Sequence, residues 1–218
     1  MSSVKLVSIS KPCIEGINTA EDLVAYVARV SNPSNQLNTE TSAKLLKYLI
    51  KNQHWSPLEL VHVVMEINTT RDIGRQILRH RSFVFSEFSQ RYAAPTDLGF
   101  ETKEARMQDS KNRQNSIVTN DTQLQNLWED YQQQIIQVAQ DAYGWAIEQG
   151  IAKEQARAVL PEGMTKSRMY MAGSLRSWLH YVKLRQSNGT QKEHREIAIE
   201  VKNILCKEFP SLESYFNE

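Results

Sequence analysis

The chain has 218 residues, 40% of them hydrophobic and 23% charged, the balance of a globular protein with a sizeable core, which excludes wholesale disorder and a fibrous architecture. A formal net charge of +1 supplies no global field for a polyanion, so nucleic acid is not an expected partner and phosphate recognition must come from a local cluster. No stretch approaches the roughly 20 apolar residues that cross a bilayer, and the opening MSSVKLVSISKPC lacks a secretory hydrophobic region, so a cytoplasmic protein without membrane contact is expected.

In chain order, residues 4–8 read as a short strand. Residues 18–30 read as a helix opened by Asn18 or Thr19, with Leu23, Val24, Val27 and Val30 on its apolar stripe. A second helix is expected over 39–51, where Leu45, Leu46, Leu49 and Ile50 hold helical spacing. Over 61–67 the period changes to two, with Val61, Val63, Met65 and Ile67 on one face, which predicts a strand. Helical spacing returns over 71–81 behind Thr69 and Thr70, and places Arg75 and Arg79 on one face.

The run FVFSEFSQRY over 83–92 is aromatic-rich and extended in character, whereas 97–120 is polar and reads as an exposed loop or insertion. A long helix is expected over 122–149, with Leu124, Leu127, Trp128, Tyr131, Ile135, Val138 and Ala142 in one stripe and Gly150 as its C-terminal cap. The spacing of Trp128, Tyr131, Tyr143 and Trp145 assigns them to core or subunit packing. A short helix over 153–159 stops near Pro161, and helices over 166–184 and 192–209 complete the chain. The fold class is α+β, a helix-rich single domain with a small mixed or antiparallel sheet.

Functional residue types are densest at Arg79-His80-Arg81 and the following Ser86, Glu87, Ser89 and Arg91. Adjacent cations repel, so an anion is expected among them. If 85–91 is extended, Glu87, Ser89 and Arg91 project from one face, offering a carboxylate, a hydroxyl and a guanidinium to a phosphorylated small molecule. Surface ion pairing is the ordinary reading of such arginines. His62, among aliphatic neighbours, reads as a structural histidine, and His194 in QKEHRE as a solvated helix residue. No His/Glu spacing suits a metal, and the eight glycines form no G-x-G-x-x-G loop. Cys13 and Cys206 are far apart and show no paired spacing.

The run RHRSFVFSEFSQRY resembles the signature of the flavin-dependent thymidylate synthases, in which Arg-His-Arg is followed at fixed spacing by Ser and then Arg. The likeness continues through ARVSNP, HWSPLEL, Gln76, ARAVLP, SLRSWLHYVKLR and TQKEHREIA, and so covers most of the chain. Ser86, His180 and Gly189 depart from the pattern, and Gly189 carries no role.

The resemblance implies methylation of dUMP to dTMP by a homotetramer, with FAD as cofactor, methylenetetrahydrofolate as one-carbon donor, NADPH as reductant, and active sites between subunits. It would place flavin against Ser31, His54, Ser56, Glu59, Arg79, His80, Arg81, Glu87, Ser174, Arg176 and His180. It would place dUMP against Gln76, Arg79, Glu87, Ser89, Gln90, Arg91, Arg157 and Arg185. Arg185 would stabilise the electron-rich, N3-deprotonated uracil, and Ser89 would hydrogen-bond the nucleotide rather than attack it. The Pro-Cys-His context of the cysteine-dependent synthase is absent around both cysteines. A nucleotide- or RNA-binding module would explain the cations but not Glu87, and a structural oligomer gives no reason for the remote arginines to match.

Overall fold

The computed structural model describes residues 2–217. Its central sheet has the order β1 (Ser3–Ile9), β2 (His62–Thr70), β6 (Lys166–Ser174) and β3 (Val84–Glu87), with every neighbouring pair antiparallel. The strand period predicted over 61–67 is realised: Val61, Val63, Met65 and Ile67 are all fully buried. Met169 and Met171 of β6 continue that inward layer.

Helices α1 (Ala20–Ala28), α2 (Ser42–Lys51), α3 (Arg71–Ile77), α6 (Leu175–Arg185) and α7 (Lys192–Glu208) cover the inward layer. Thr19 caps α1 by accepting from the Asp22 N–H at 3.0 Å. The Trp178 indole of α6 is fully buried and donates to the Val63 carbonyl at 3.0 Å, so its one polar atom is satisfied inside the core.

One predicted helix is corrected. Residues 166–174 form β6 rather than the first half of a helix over 166–184, because Ser167, Met169, Met171 and Gly173 face inward and the strand pairs with β2 along its length. Only after Ser174, whose Oγ accepts from the Ser177 N–H at 3.3 Å, does the chain become helical. Gly173 is required there: an added Cβ would lie 2.5 Å from the Phe83 ring. Phe83 therefore rests against bare backbone, which fixes the segment carrying Arg79 to Arg81. Helix α3 is also shorter than expected, and its end at Ile77 puts Arg79 beyond the helix instead of on one face with Arg75.

Within the polar segment 97–120, read as an exposed loop or insertion, there is a short piece of sheet. This is the hairpin β4 (Arg106–Gln108) and β5 (Ser116–Val118). The approach to the hairpin is registered by helix α4 (Thr122–Glu148) through two side-chain amides. Gln125 accepts from the Ala105 N–H at 2.9 Å and donates to its carbonyl at 3.0 Å, and Gln132 does the same for Lys103 at 2.8 and 2.9 Å. Asp121 caps the start of α4, and Gly150, with φ of +77°, ends it in the left-handed region as expected.

The apolar stripe of α4 does not enter this chain's core. Tyr131 is 61% exposed and Val138 68%, while Tyr143 alone of the four aromatics is buried. Helices α5 (Lys153–Ala156) and α8 (Glu213–Asn217) are short, and no helix among the described residues is long and apolar enough to cross a membrane.

Candidate active site

The junction where β6 turns into α6 faces the 3-10 turn Ser56–Leu60 across a cavity of about 500 Å³. Five of the residues expected to contact flavin line it: Glu59, Arg81, Ser174, Arg176 and His180. Ser174 donates to Glu59 Oε2 at 2.6 Å, and Arg176 Nη1 donates to Glu59 Oε1. The Ser174 hydroxyl and then the Arg176 guanidinium hold the Glu59 carboxyl below its usual range.

The His180 ring meets Trp55 edge to face at 4.9 Å, and burial followed by Arg176 lowers its pKa. The cavity thus combines two guanidiniums, hydroxyls and an apolar wall of Phe83 and Val84, a donor set that fits the pyrophosphate and ring chemistry of a flavin dinucleotide. Ser31, His54, Ser56, Arg79, His80 and Glu87 do not line it. Ser31 is exposed after α1, and His54 stands edge-on to Tyr48.

A second group sits behind that wall and includes two residues whose roles the sequence did not reveal. Arg185 Nε donates to His80 Nε2 at 2.9 Å. The His80 ring lies 4.9 Å edge-on to the buried Tyr181, whose hydroxyl is 3.1 Å from His194 Nε2. His194 Nδ1 is 3.3 Å from Gln76 Oε1, and Gln76 Nε2 donates to Gln191 Oε1 at 2.7 Å.

These contacts fix the tautomers. His194 must carry its proton on Nδ1 and accept from Tyr181, while His80 must leave Nε2 bare. Both rings are neutral: burial, then Arg185, pushes His80 down to about 4 and His194 to about 3. Among the described residues no carboxylate pairs with Arg185, so its charge is left for a ligand.

The expectation of a solvated His194 is therefore wrong; it is fully buried, on the α7 face shared by Ile197, Ala198 and Val201. The opposite correction applies to His62, which is exposed and lines the Glu59 cavity. Burial of one face of α7 could have been read from its period of 3.6. The charged neighbours Lys192, Glu193, Arg195 and Glu196 concealed it.

The single face expected for Glu87, Ser89 and Arg91 is also corrected. Strand β3 ends at Glu87, and the Tyr92 and Ala93 N–H groups turn back to the Ser89 carbonyl at 3.1 and 3.0 Å. Glu87 accepts from Ser167 at 2.9 Å and faces Arg71 at 3.6 Å and Arg75 at 3.8 Å, partners the sequence did not identify.

Ser89 and Arg91 instead border a separate shallow cleft with Lys153 and Glu154. Arg91 pairs with Glu154 at 3.2 Å, and Lys153 Nζ donates to the Tyr92 carbonyl, so among the described residues no base is positioned on Ser89. Arg157 Nε donates to the Glu154 carbonyl at 3.3 Å, Arg79 is exposed, and Gln90 is buried with Nε2 lacking a partner among the described residues. Gln76, His80 and Arg185 thus come together at one place and Ser89, Arg91 and Arg157 at another.

Comparison with known proteins gives this divided constellation a family. A family model described as thymidylate synthase complementing protein matches residues 14–211. A Paramecium bursaria Chlorella virus 1 protein, described as a probable flavin-dependent thymidylate synthase, is 50% identical over 210 residues, 96% of each chain. The flavin-dependent thymidylate synthase of Synechocystis is 46% identical over 212 residues, again 96% of each chain.

Among solved structures, the fold resembles a UMP/dUMP methylase, PolB, from Streptomyces cacaoi. Its form with 5-Br dUMP gives a TM-score of 0.76 at 24% identity, covering 100% of this chain and 95% of that one. Its form with 5-Br UMP gives 0.81 at 23%, covering 100% and 94%. A match over nearly the whole length, at 46–50% identity to two members, means that the chain belongs to the flavin-dependent thymidylate synthase family.

Proposed function

We propose that this chain converts dUMP to dTMP, taking a one-carbon unit from methylenetetrahydrofolate and electrons from NADPH through bound FAD. The observation that carries the reading is Arg185, whose Nε is occupied by a neutral imidazole and whose charge meets no carboxylate among the described residues. A cation held this way favours the N3-deprotonated, electron-rich uracil, which makes C5 nucleophilic without covalent help. The cysteines agree with that route. Cys13 is exposed, and Cys206 lies on α7 with burial pushing its thiol up, away from the reactive thiolate range.

In this reading Glu59, Arg81, Ser174, Arg176 and His180 hold FAD. The cofactor supplies the hydride that completes the methyl group. Gln76, fixed between His194 and Gln191, and Arg79 would orient the base, while Ser89, Gln90, Arg91 and Arg157 would hold the remainder of the nucleotide. Glu87, anchored by Ser167, would span base and flavin.

We infer that the two nucleotide groups, separate within one chain, meet between subunits of a homotetramer, and that the exposed apolar face of α4 is where chains pack. Support comes from that face itself, since half-exposed Ile135 and 68%-exposed Val138 extend a stripe with no cover in the protomer. Light scattering should give a four-chain mass, and a monomer at assay concentration would refute the assembly.

Anaerobic incubation with dUMP, methylenetetrahydrofolate and NADPH tests the reaction directly, with dTMP formation and flavin oxidation expected together. Flavin oxidation without dTMP, or methylation only when UMP is supplied instead of dUMP, would overturn the substrate assignment.

A further inference from the structure

The flavin cavity does not end at His180. A second cavity of about 500 Å³ shares His180 with it and is walled by Trp55, Lys183 and Tyr215. A third, of about 480 Å³, shares Trp55, Lys183 and Tyr215 and adds Lys47 and Lys51. Together they form one groove leading from the Glu59–Arg176 pair to a site edged by three lysines.

The lysines are not explained by packing. Lys47 and Lys51 are four residues apart on α2, so both project to one side, where like charges at that spacing are a net cost to the helix. Lys51 alone has a local reason, since it sits in the last turn of α2 near the negative end of its dipole. Lys183 arrives from α6 and stands over the Tyr215 ring at 4.9 Å. None of the three forms an ion pair among the described residues, and no carboxylate among the described residues lines this third cavity. Convergent cations with an aromatic wall, opening onto a catalytic cavity, suit a ligand that carries several negative charges on an extended aromatic body.

We propose that this groove binds the polyanionic arm of a co-substrate, with aromatic rings along Trp55 and Tyr215 and phosphate or carboxylate charges on Lys47, Lys51 and Lys183. The inference rests on the function proposed above, because that reaction needs two such molecules. NADPH carries a pyrophosphate and a 2′-phosphate, and methylenetetrahydrofolate carries a glutamate tail that can be extended. The chemistry is common to both, and the experiment separates them.

Isothermal titration of the intact flavin-loaded protein would compare NADP+ with NAD+, and the pentaglutamyl with the monoglutamyl folate. The triple variant Lys47→Gln/Lys51→Gln/Lys183→Gln would be titrated in parallel. The three positions are exposed and glutamine keeps most of the apolar stem, so folding is retained.

If the groove takes the nucleotide, the wild-type preference for NADP+ falls on the order of tenfold in the variant while the folate preference stays. If it takes the folate tail, the pentaglutamate advantage falls by a similar factor and the NADP+ preference stays. Either outcome supports the groove and names its occupant. Loss of neither preference, or absence of both in the wild type, overturns it. Because binding is measured without turnover, failure here is distinguishable from failure to form dTMP, which would count against the reaction itself.

Discussion

The two clusters proposed to face the nucleotide are built on opposite principles. Around Arg185, a buried imidazole, tyrosine, second imidazole and two glutamines satisfy one another, and the guanidinium is held by a neutral partner. Around Arg91, the side chain is 68% exposed and is held by Glu154, itself 49% exposed. The first cluster is preorganised in the isolated chain, so under the proposed function its charge would be held in place before substrate arrives. The second is a solvated ion pair of small intrinsic worth, easily exchanged for a phosphate or for a neighbouring chain.

The sharpest way to break this comparison is Arg185→Ala. It should leave folding and flavin content intact and lower single-turnover dTMP formation on the order of a thousandfold. Near-normal turnover would mean that the buried cluster is structural only.

Next in size, His194→Leu strands Gln76 Oε1 and the Tyr181 hydroxyl in the interior, and should cost about 2–4 kcal/mol in urea unfolding. His194→Gln should recover part of it. The pH dependence follows from the same ring. Unfolded histidine takes a proton near 6.5 while His194 resists until about 3 and His80 until about 4, so unfolding is favoured as pH falls below 6.5. Stability should therefore decline from pH 6.5 toward 4 in the wild type, and less steeply in His194→Leu. Equal slopes would mean that His194 is not buried in its neutral form.

Gly173→Ala sets a Cβ into the Phe83 ring and should destabilise by about 1–3 kcal/mol while loosening flavin, since Arg81 lies on the displaced segment. Unchanged flavin content would separate that segment from the cofactor. The smallest effect is expected at the exposed cluster. Glu154→Gln should alter stability by less than about 1 kcal/mol and leave the KM for dUMP equal or lower, because Arg91 is released. A raised KM would show the ion pair to be part of the binding geometry.

These two clusters also mark what could be read from the residues alone. The strand through Val61 to Ile67 was legible because four large aliphatic or thioether side chains alternate without interruption. Its partner β6 was not, since two of its four inward positions are Ser167 and Gly173, which carry no hydrophobic signal, and the methionines between them suit a helix equally well. The family resemblance singled out Arg79, Glu87 and Ser89 as candidates, but local alternation failed to place Ser89 and Arg91 because a turn begins immediately after the strand. Partners such as Arg71, Ser167 and Tyr181 come from elements distant in sequence, and only the assembled sheet and helices bring them into contact.

The paired amides on α4 give the molecule a boundary between what must stay in step and what can drift. Gln125 and Gln132, two turns apart, engage Ala105 and Lys103 as a neighbouring strand would, so a helix does the registering where no sheet continues. A residue added to α4 between the two glutamines would rotate one of them away and release the segment beyond. Residues added at the tip of the hairpin, past Gln108, would leave that register untouched. Length change is thereby confined to the far end of the hairpin, while Arg106 at its root stays locked to Glu193 beside Gln191.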